Sequence, residues 1–423
     1  MPQAPSPKPK VLNPEPRTLN PAFQTRLVIA LTDFQHLQPG CVSAQATITG
    51  WLGWAHANAQ EKIHHSEETF DRVGFEAHIQ RLLRRLNHRA DAVITRQHAL
   101  KDFLHFDQSA MRIFGSDQPP TGAVAQDRMA FFQEIATTAF AEFFPLSDSP
   151  PTDLIHVTCT GYLSPSSAQH LVEKRQWSTV TRVTHAYHMG CYAAFPALRL
   201  AAGFLSRERF EGNSSARVDV VHTELCTLHL NPTLHSIEQL VIQSLFADGL
   251  IKYSAINLEP ETGVESPHLT VLAQHEQILP DSADAMTWVC SEWGMHMTLA
   301  RTVPELIARA LPAFLETLSR KAGFDAESLR TSARFAIHPG GPKIVAEIQS
   351  LLSLSEVQVA ASKQVLAECG NMSSATLPHI WERLLKDDAI PSGTLIVSLA
   401  FGPGLTMCGS VMEKQAARSV PPA

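Results

Sequence analysis

Three short motifs, far apart in the chain, each join a turn to a helix-like run. They are Ala186-Tyr187-His188-Met189-Gly190-Cys191-Tyr192-Ala193-Ala194, Ile337-His338-Pro339-Gly340-Gly341-Pro342 and Glu368-Cys369-Gly370-Asn371-Met372-Ser373-Ser374-Ala375. Cys191 follows a glycine and opens an apolar, Ala-rich stretch. His338 ends a short β-like run at a Pro-Gly-Gly turn. Asn371 sits in a glycine-opened turn before another helical pattern. A fourth motif, Phe401-Gly402-Pro403-Gly404-Leu405-Thr406, follows near the C-terminus. A strand–turn–helix unit around Cys191 thus recurs around Asn371, the mark of an ancient duplication.

The pattern between the motifs alternates. Residues 78–105, 127–143, 191–204, 236–246, 303–319, 342–352 and 375–385 read as helices. Residues 26–30, 154–158, 217–222 and 333–337 read as strands, and 394–400 with 405–412 as a hairpin. Such alternation predicts an α/β fold with largely buried sheets. The chain has 423 residues, enough for one large core or two fused ones. Residues 1–25 are a Pro-rich tail with no apolar stretch of signal-peptide type and are expected to be disordered.

Composition excludes several functions. The net charge is −7, so no global basic field invites nucleic acid or an anionic membrane. No apolar run is long enough to span a bilayer. Seven cysteines occur without C-x-x-C pairs. That argues against a disulfide framework and a metal site and for a cytoplasmic chain. Cys41, Cys159, Cys290, Cys369 and Cys408 read as small buried hydrophobes. A basic cluster, Arg81, Arg84, Arg85, Arg89 and Arg96, reads either as a solvated helix face or as an anion site.

One Cys with a His and an Asn elsewhere is a nucleophile constellation. A cysteine at a helix start has its thiolate favoured by free backbone N–H groups, and a nearby imidazole lowers its pKa further. His and Asn can instead donate together to one carbonyl oxygen and stabilise an enolate. The set therefore fits decarboxylative Claisen condensation, with the acyl group on Cys191 and the extender carbonyl held by His338 and Asn371. A cysteine protease would use the same residue types, but the papain-type sequence around the nucleophile is absent.

On these motifs the chain resembles the type III polyketide synthases, the chalcone synthase-like group, in its bacterial form. The match is specific from about 153 to 412, and looser over 26–152. Ala400 stands where glycine usually precedes the Phe of the last motif. The resemblance implies a thiolase-like fold: two similar halves, 26–264 and 265–413, in α-β-α-β-α layers, with 414–423 as a tail. It implies a homodimer, acyl-CoA and malonyl-CoA as substrates, and no other cofactor. It places Phe246, in Leu245-Phe246-Ala247-Asp248-Gly249, and Met297 at the gate of the active-site cavity. Cys226, His229, Thr160 and Ser373 become cavity-lining candidates, Gly341 a substrate contact, and Arg84, Arg85 and Arg89 a coenzyme A phosphate site. Trp288 falls near a usually small position and would narrow the cavity. The product expected is an α-pyrone or an alkylresorcinol. The alternatives are a single-condensation β-ketoacyl synthase and, from another class, a non-catalytic ketosynthase-like partner subunit.

Overall fold

The computed structural model describes residues 28–64, 70–86, 93–258 and 266–416. The tail 1–25, Arg89 and the 264/265 boundary lie outside the described residues. The elements run in chain order as β1 (Ile29–Leu37), β2 (Cys41–Ala44), α1 (Gln45–Ile63), α2 (Arg72–Leu86), β3 (Thr95–His98) and α3 (Ala125–Phe143). Then come β4 (Asp153–Thr158), α4 (Ser167–Lys174), β5 (Arg182–Tyr187), α5 (Ala194–Phe210), β6 (Arg217–Leu225) and α6 (Ile237–Leu245). β7 (Asp248–Asn257) ends the first half, and the second holds β8 (His268–Ile278), β9 (Met286–Cys290), β10 (Met295–Leu299), α7 (Val303–Ala322), α8 (Ala326–Ser332) and β11 (Arg334–Ile337). It closes with α9 (Pro342–Leu351), α10 (Glu356–Cys369), α11 (Thr376–Lys386), β12 (Leu395–Gly402) and β13 (Thr406–Gln415).

Nine strands form one sheet in the order β11-β12-β13-β8-β1-β7-β6-β4-β5. Its two halves repeat one pairing scheme. β4 pairs β6 in parallel, β6 pairs β7 antiparallel, and β7 pairs β1 antiparallel. Likewise β11 pairs β12 in parallel, β12 pairs β13 antiparallel, and β13 pairs β8 antiparallel. β1 pairs with β8 and so joins the halves. This repetition is the duplication that the recurring strand–turn–helix unit predicts.

Burial sorts the layers. Strands such as β4 are buried on both faces, which requires helices on each side. One core holds α5 and α11 (Leu198, Leu205, Ile380, Trp381) against inward residues of both half-sheets (Val218, Tyr253, Ala336, Ile396). On one outer face Phe140 and Phe143 of α3 and Leu171 of α4 cover Leu154 and Val221. On the other, Leu311 and Phe314 of α7 and Val345 of α9 cover Phe335, Val397 and Val411. The chain therefore has the α-β-α-β-α layering that the resemblance implies. The buried pair α5 and α11 carries the Cys191 and Asn371 turns at its N-termini.

Two readings of local structure change. Residues 78–105 are not one helix: α2 ends at Leu86, and Thr95–His98 is a strand paired with β2. Lys414 and Gln415 belong to β13, so ordered structure runs past 413.

Candidate active site

The nucleophile turn, Gly190–Tyr192, is a single 3₁₀ turn leading into α5, and Cys191 is buried in it. Gly190 has φ +75°, and a Cβ there would lie 2.8 Å from the Pro403 ring. A Cβ on Gly402 would lie 2.4 Å from the Tyr192 ring. Both glycines are therefore fixed by close approach. The Phe401–Thr406 motif acts as the seat on which the cysteine turn rests.

His338 leaves β11 with its N–H on Leu399 O at 2.8 Å. Its ring is buried, and neither ring nitrogen has a hydrogen-bond partner among the described residues. Burial pushes its pKa down to about 3, so the ring is neutral and keeps one N–H to donate. Asn371 is held by its main chain: its N–H donates to Leu245 O at 2.9 Å, and its O accepts from Ala247 N–H at 2.8 Å. Its side-chain Oδ1 accepts from Ser373 N–H at 3.0 Å, which turns Nδ2 toward Gly340 O at 3.4 Å. Ser373 Oγ lies 3.8 Å from Cys191 Sγ. Two steps of contact thus connect the cysteine turn to the Asn371 turn, and that turn to the His-Pro-Gly-Gly turn.

The cysteine departs from the sequence expectation. Burial pushes the Cys191 thiol up to about 12, more than the Ser373 hydroxyl offsets, and buried Glu224 adds to the rise. Desolvation outweighs the helix start here.

Beside the turn is a cavity enclosing about 720 Å³ of non-atom space, part of it solvent. Its wall carries Cys191, Ser373, Thr160, Cys226, His229, Phe246 and Met297 together. Trp288 also lines it, with Nε1 donating to Cys159 O at 2.7 Å. His229 is neutral, its pKa pushed down to about 3 by burial. Nε2–H donates to Thr160 O at 2.8 Å, and Nδ1 accepts from Met295 N–H at 3.0 Å. Both rings spend their polar edges on backbone and offer apolar faces to a substrate.

The remaining candidates lie elsewhere. Gly341 precedes α9 in extended backbone and is not on the cavity wall. Arg84 and Arg85 are exposed on α2, a helix packed against α6, whose Ile242 and Gln243 line the cavity. Arg96 does not join that surface cluster: it is buried, with Nη1 donating to Gln243 O at 2.9 Å. Cys290 is exposed rather than a buried hydrophobe. Cys159 is buried but polar in its contacts, 3.1 Å from Ser373 Oγ, and it lines the cavity. Sequence reasoning also passed over Glu224. This buried carboxylate accepts from Thr160 Oγ1 at 2.8 Å, Cys159 N–H at 3.1 Å and Ser374 Oγ. The available signal was an acidic residue inside a strand otherwise buried along its length.

Residues 115–256 match the family model for chalcone and stilbene synthases, N-terminal domain, and residues 270–416 match the C-terminal domain of the same family. The chain belongs to the chalcone and stilbene synthase family. These type III polyketide synthases are acyltransferase-type condensing enzymes. The chain is 30% identical over 264 residues to "Probable polyketide synthase 1" of Dictyostelium discoideum, a stretch covering 62% of this chain and 8% of that much longer protein. The fold is similar to that of PKS-I from the brown alga Ectocarpus siliculosus, with TM-score 0.73, 20% identity, and coverage of 92% and 99% of the two chains. It is also similar to 1,3,6,8-tetrahydroxynaphthalene synthase from Streptomyces coelicolor, with TM-score 0.72, 21% identity, and coverage of 92% and 100%. The C-terminal type III domain of "Steely1" from Dictyostelium gives TM-score 0.71 at 22% identity, covering 91% and 99%. No described helix of this family member is long and apolar enough to cross a membrane.

Proposed function

We propose that the chain takes an acyl-CoA starter onto Cys191 and extends it by decarboxylative Claisen condensation with malonyl-CoA, releasing an α-pyrone or an alkylresorcinol-type product. The observation that carries this reading is the run of contacts from Cys191, on the cavity wall, through Ser373 and Asn371 to the His338 turn behind it, with the His338 ring uncommitted. Cys191 sulfur attacks the starter thioester, and coenzyme A leaves as the thiol. The His338 N–H and Asn371 Nδ2 then donate to the thioester carbonyl of malonyl-CoA. Carbon dioxide departs, and its bonding electrons become the enolate that the two donors stabilise. The enolate attacks the Cys191 thioester, and the sulfur leaves and is free for the next cycle. Arg84 and Arg85 on α2, with Arg89, supply cations for coenzyme A phosphates. The enzyme works in the cytoplasm as a homodimer, with β5 at the end of the sheet available for a second copy.

Incubation with labelled malonyl-CoA and a series of acyl-CoA starters, with product masses read out, tests the reading. Products carrying two or more malonyl-derived units support it. One unit throughout would mean a single-condensation β-ketoacyl synthase, and none with any starter would mean a non-catalytic partner.

Asn371→Ala is expected to slow malonyl-CoA decarboxylation by about 10²–10³-fold, the usual loss for one oxyanion donor. Alkylation of Cys191 by iodoacetamide should persist in that variant. An unchanged decarboxylation rate would reduce Asn371 to a turn former.

Met297 sits on β10 at the cavity wall, almost fully buried. Its unbranched thioether can rotate aside, and a phenyl ring cannot do so as easily. Met297→Phe is expected to penalise dodecanoyl-CoA over hexanoyl-CoA by roughly 10–200-fold in kcat/KM, the range for a pocket that loses room for a methylene. An unchanged ratio would take Met297 off the acyl path.

A further inference from the structure

Ser373 touches both halves of the site. Its hydroxyl is the group that meets the Cys191 sulfur, at 3.8 Å, and its backbone N–H holds Asn371 Oδ1 at 3.0 Å. It adopts φ +49°, a left-handed conformation uncommon for a residue with a side chain. Such strain persists only where the surroundings impose it, and it gathers at functional sites.

The hydroxyl has a second sulfur neighbour. Cys159 Sγ lies 3.1 Å from Ser373 Oγ and 3.5 Å from Glu224 Oε2. That carboxylate oxygen already faces Thr160 Oγ1 at 2.8 Å, Cys159 N–H at 3.1 Å and Thr158 Oγ1 at 3.4 Å. The Cys159 thiol keeps its proton, because burial and Glu224 push its pKa well up. Its S–H donates to that carboxylate, so the Ser373 hydroxyl proton faces two sulfurs, the neutral Cys159 thiol at 3.1 Å and Cys191 at 3.8 Å. A thiolate accepts more strongly than a thiol, so ionisation of Cys191 draws that proton to it.

We propose that Ser373 is a further catalytic residue, whose hydroxyl donates a hydrogen bond to the Cys191 thiolate. This rests on the reading of Cys191 as the nucleophile. Neither His338 ring nitrogen is hydrogen-bonded among the described residues, whereas the Ser373 hydroxyl lies against the sulfur. His338 is left for the substrate carbonyl.

The test is the pH profile of Cys191 alkylation by iodoacetamide in the full chain, read as the mass of the Cys191 peptide so that other cysteines are counted apart. Ser373→Ala and Ser373→Gly both remove the donor. Glycine accepts positive φ freely, so it keeps the test intact if the alanine variant does not fold. A hydrogen bond to a charged group gives an expected fall of roughly 10- to 100-fold in rate at pH 8, with the profile displaced to higher pH. Loss of the hydroxyl opens space beside the sulfur, and better access alone would speed alkylation, so a fall reports the lost donor. An unchanged or faster rate in the folded variants would overturn the proposal and leave Ser373 as cavity lining. The reading of Cys191 fails separately, through condensation that survives Cys191→Ala.

Discussion

Replacing Cys191 with alanine is expected to abolish product formation while leaving malonyl-CoA decarboxylation measurable. The two activities use different groups. Acyl transfer needs a sulfur at the start of α5, whereas decarboxylation needs donors at the thioester carbonyl, which His338 and Asn371 still offer. Alanine keeps the turn intact, because its contacts with Pro403 and Gly402 come from Gly190 and Tyr192. Product masses and carbon dioxide release, measured on one preparation, separate the two. Full product formation by the alanine variant would remove Cys191 from the mechanism.

A second large effect is expected from acid. Six buried histidines stay neutral in the folded chain because burial disfavours their charged form. Those at 156, 222, 229 and 338 are pushed down to about 3, and His56 and His379 to about 4. In the unfolded chain each titrates near 6.5. Below that pH the unfolded state binds protons that the native state refuses. Stability therefore falls as pH drops from about 6.5 towards 4, by about 1.4 kcal/mol per pH unit for each histidine. Three carboxyls oppose this. Asp248, lifted to about 6, and Asp219 and Glu224, both raised, favour the native state as pH falls. Three groups against six leave a steep net loss, large beside a typical stability of about 5–15 kcal/mol. Thermal melts from pH 7.5 to 4.5 should show Tm dropping sharply below pH 6.5. A flat profile to pH 5 would mean that these imidazoles are hydrated or paired.

The same burial marks the limit of what the sequence shows. The turns at Gly190-Cys191, Pro339-Gly340-Gly341 and Gly370-Asn371 were legible because glycine and proline fix local backbone whatever surrounds them. The helix at 127–143 and the hairpin around Gly402-Pro403-Gly404 were legible for a similar reason, since their periods and turns are local. Strand β3 was not. Thr-Arg-Gln-His has no apolar alternation, and it is a strand only because Cys41–Ala44 pairs with it. The polarity of the site was hidden as well. Cys159 reads as a small hydrophobe until folding brings it against Ser373, 214 residues away. The Cys191 thiol follows suit: a helix start favours the thiolate, but only the packed site shows that desolvation is stronger.

The central claim is that Cys191 carries the acyl chain. Incubating the full chain with hexanoyl-CoA alone, then digesting it at mildly acid pH, allows the adduct to be located by peptide mass. The hexanoyl group is expected on the Cys191 peptide, released by hydroxylamine as thioesters are, and consumed when malonyl-CoA is added. An enzyme that forms product with no acyl group on Cys191, or with the group on Cys159 or Cys226 instead, would contradict it.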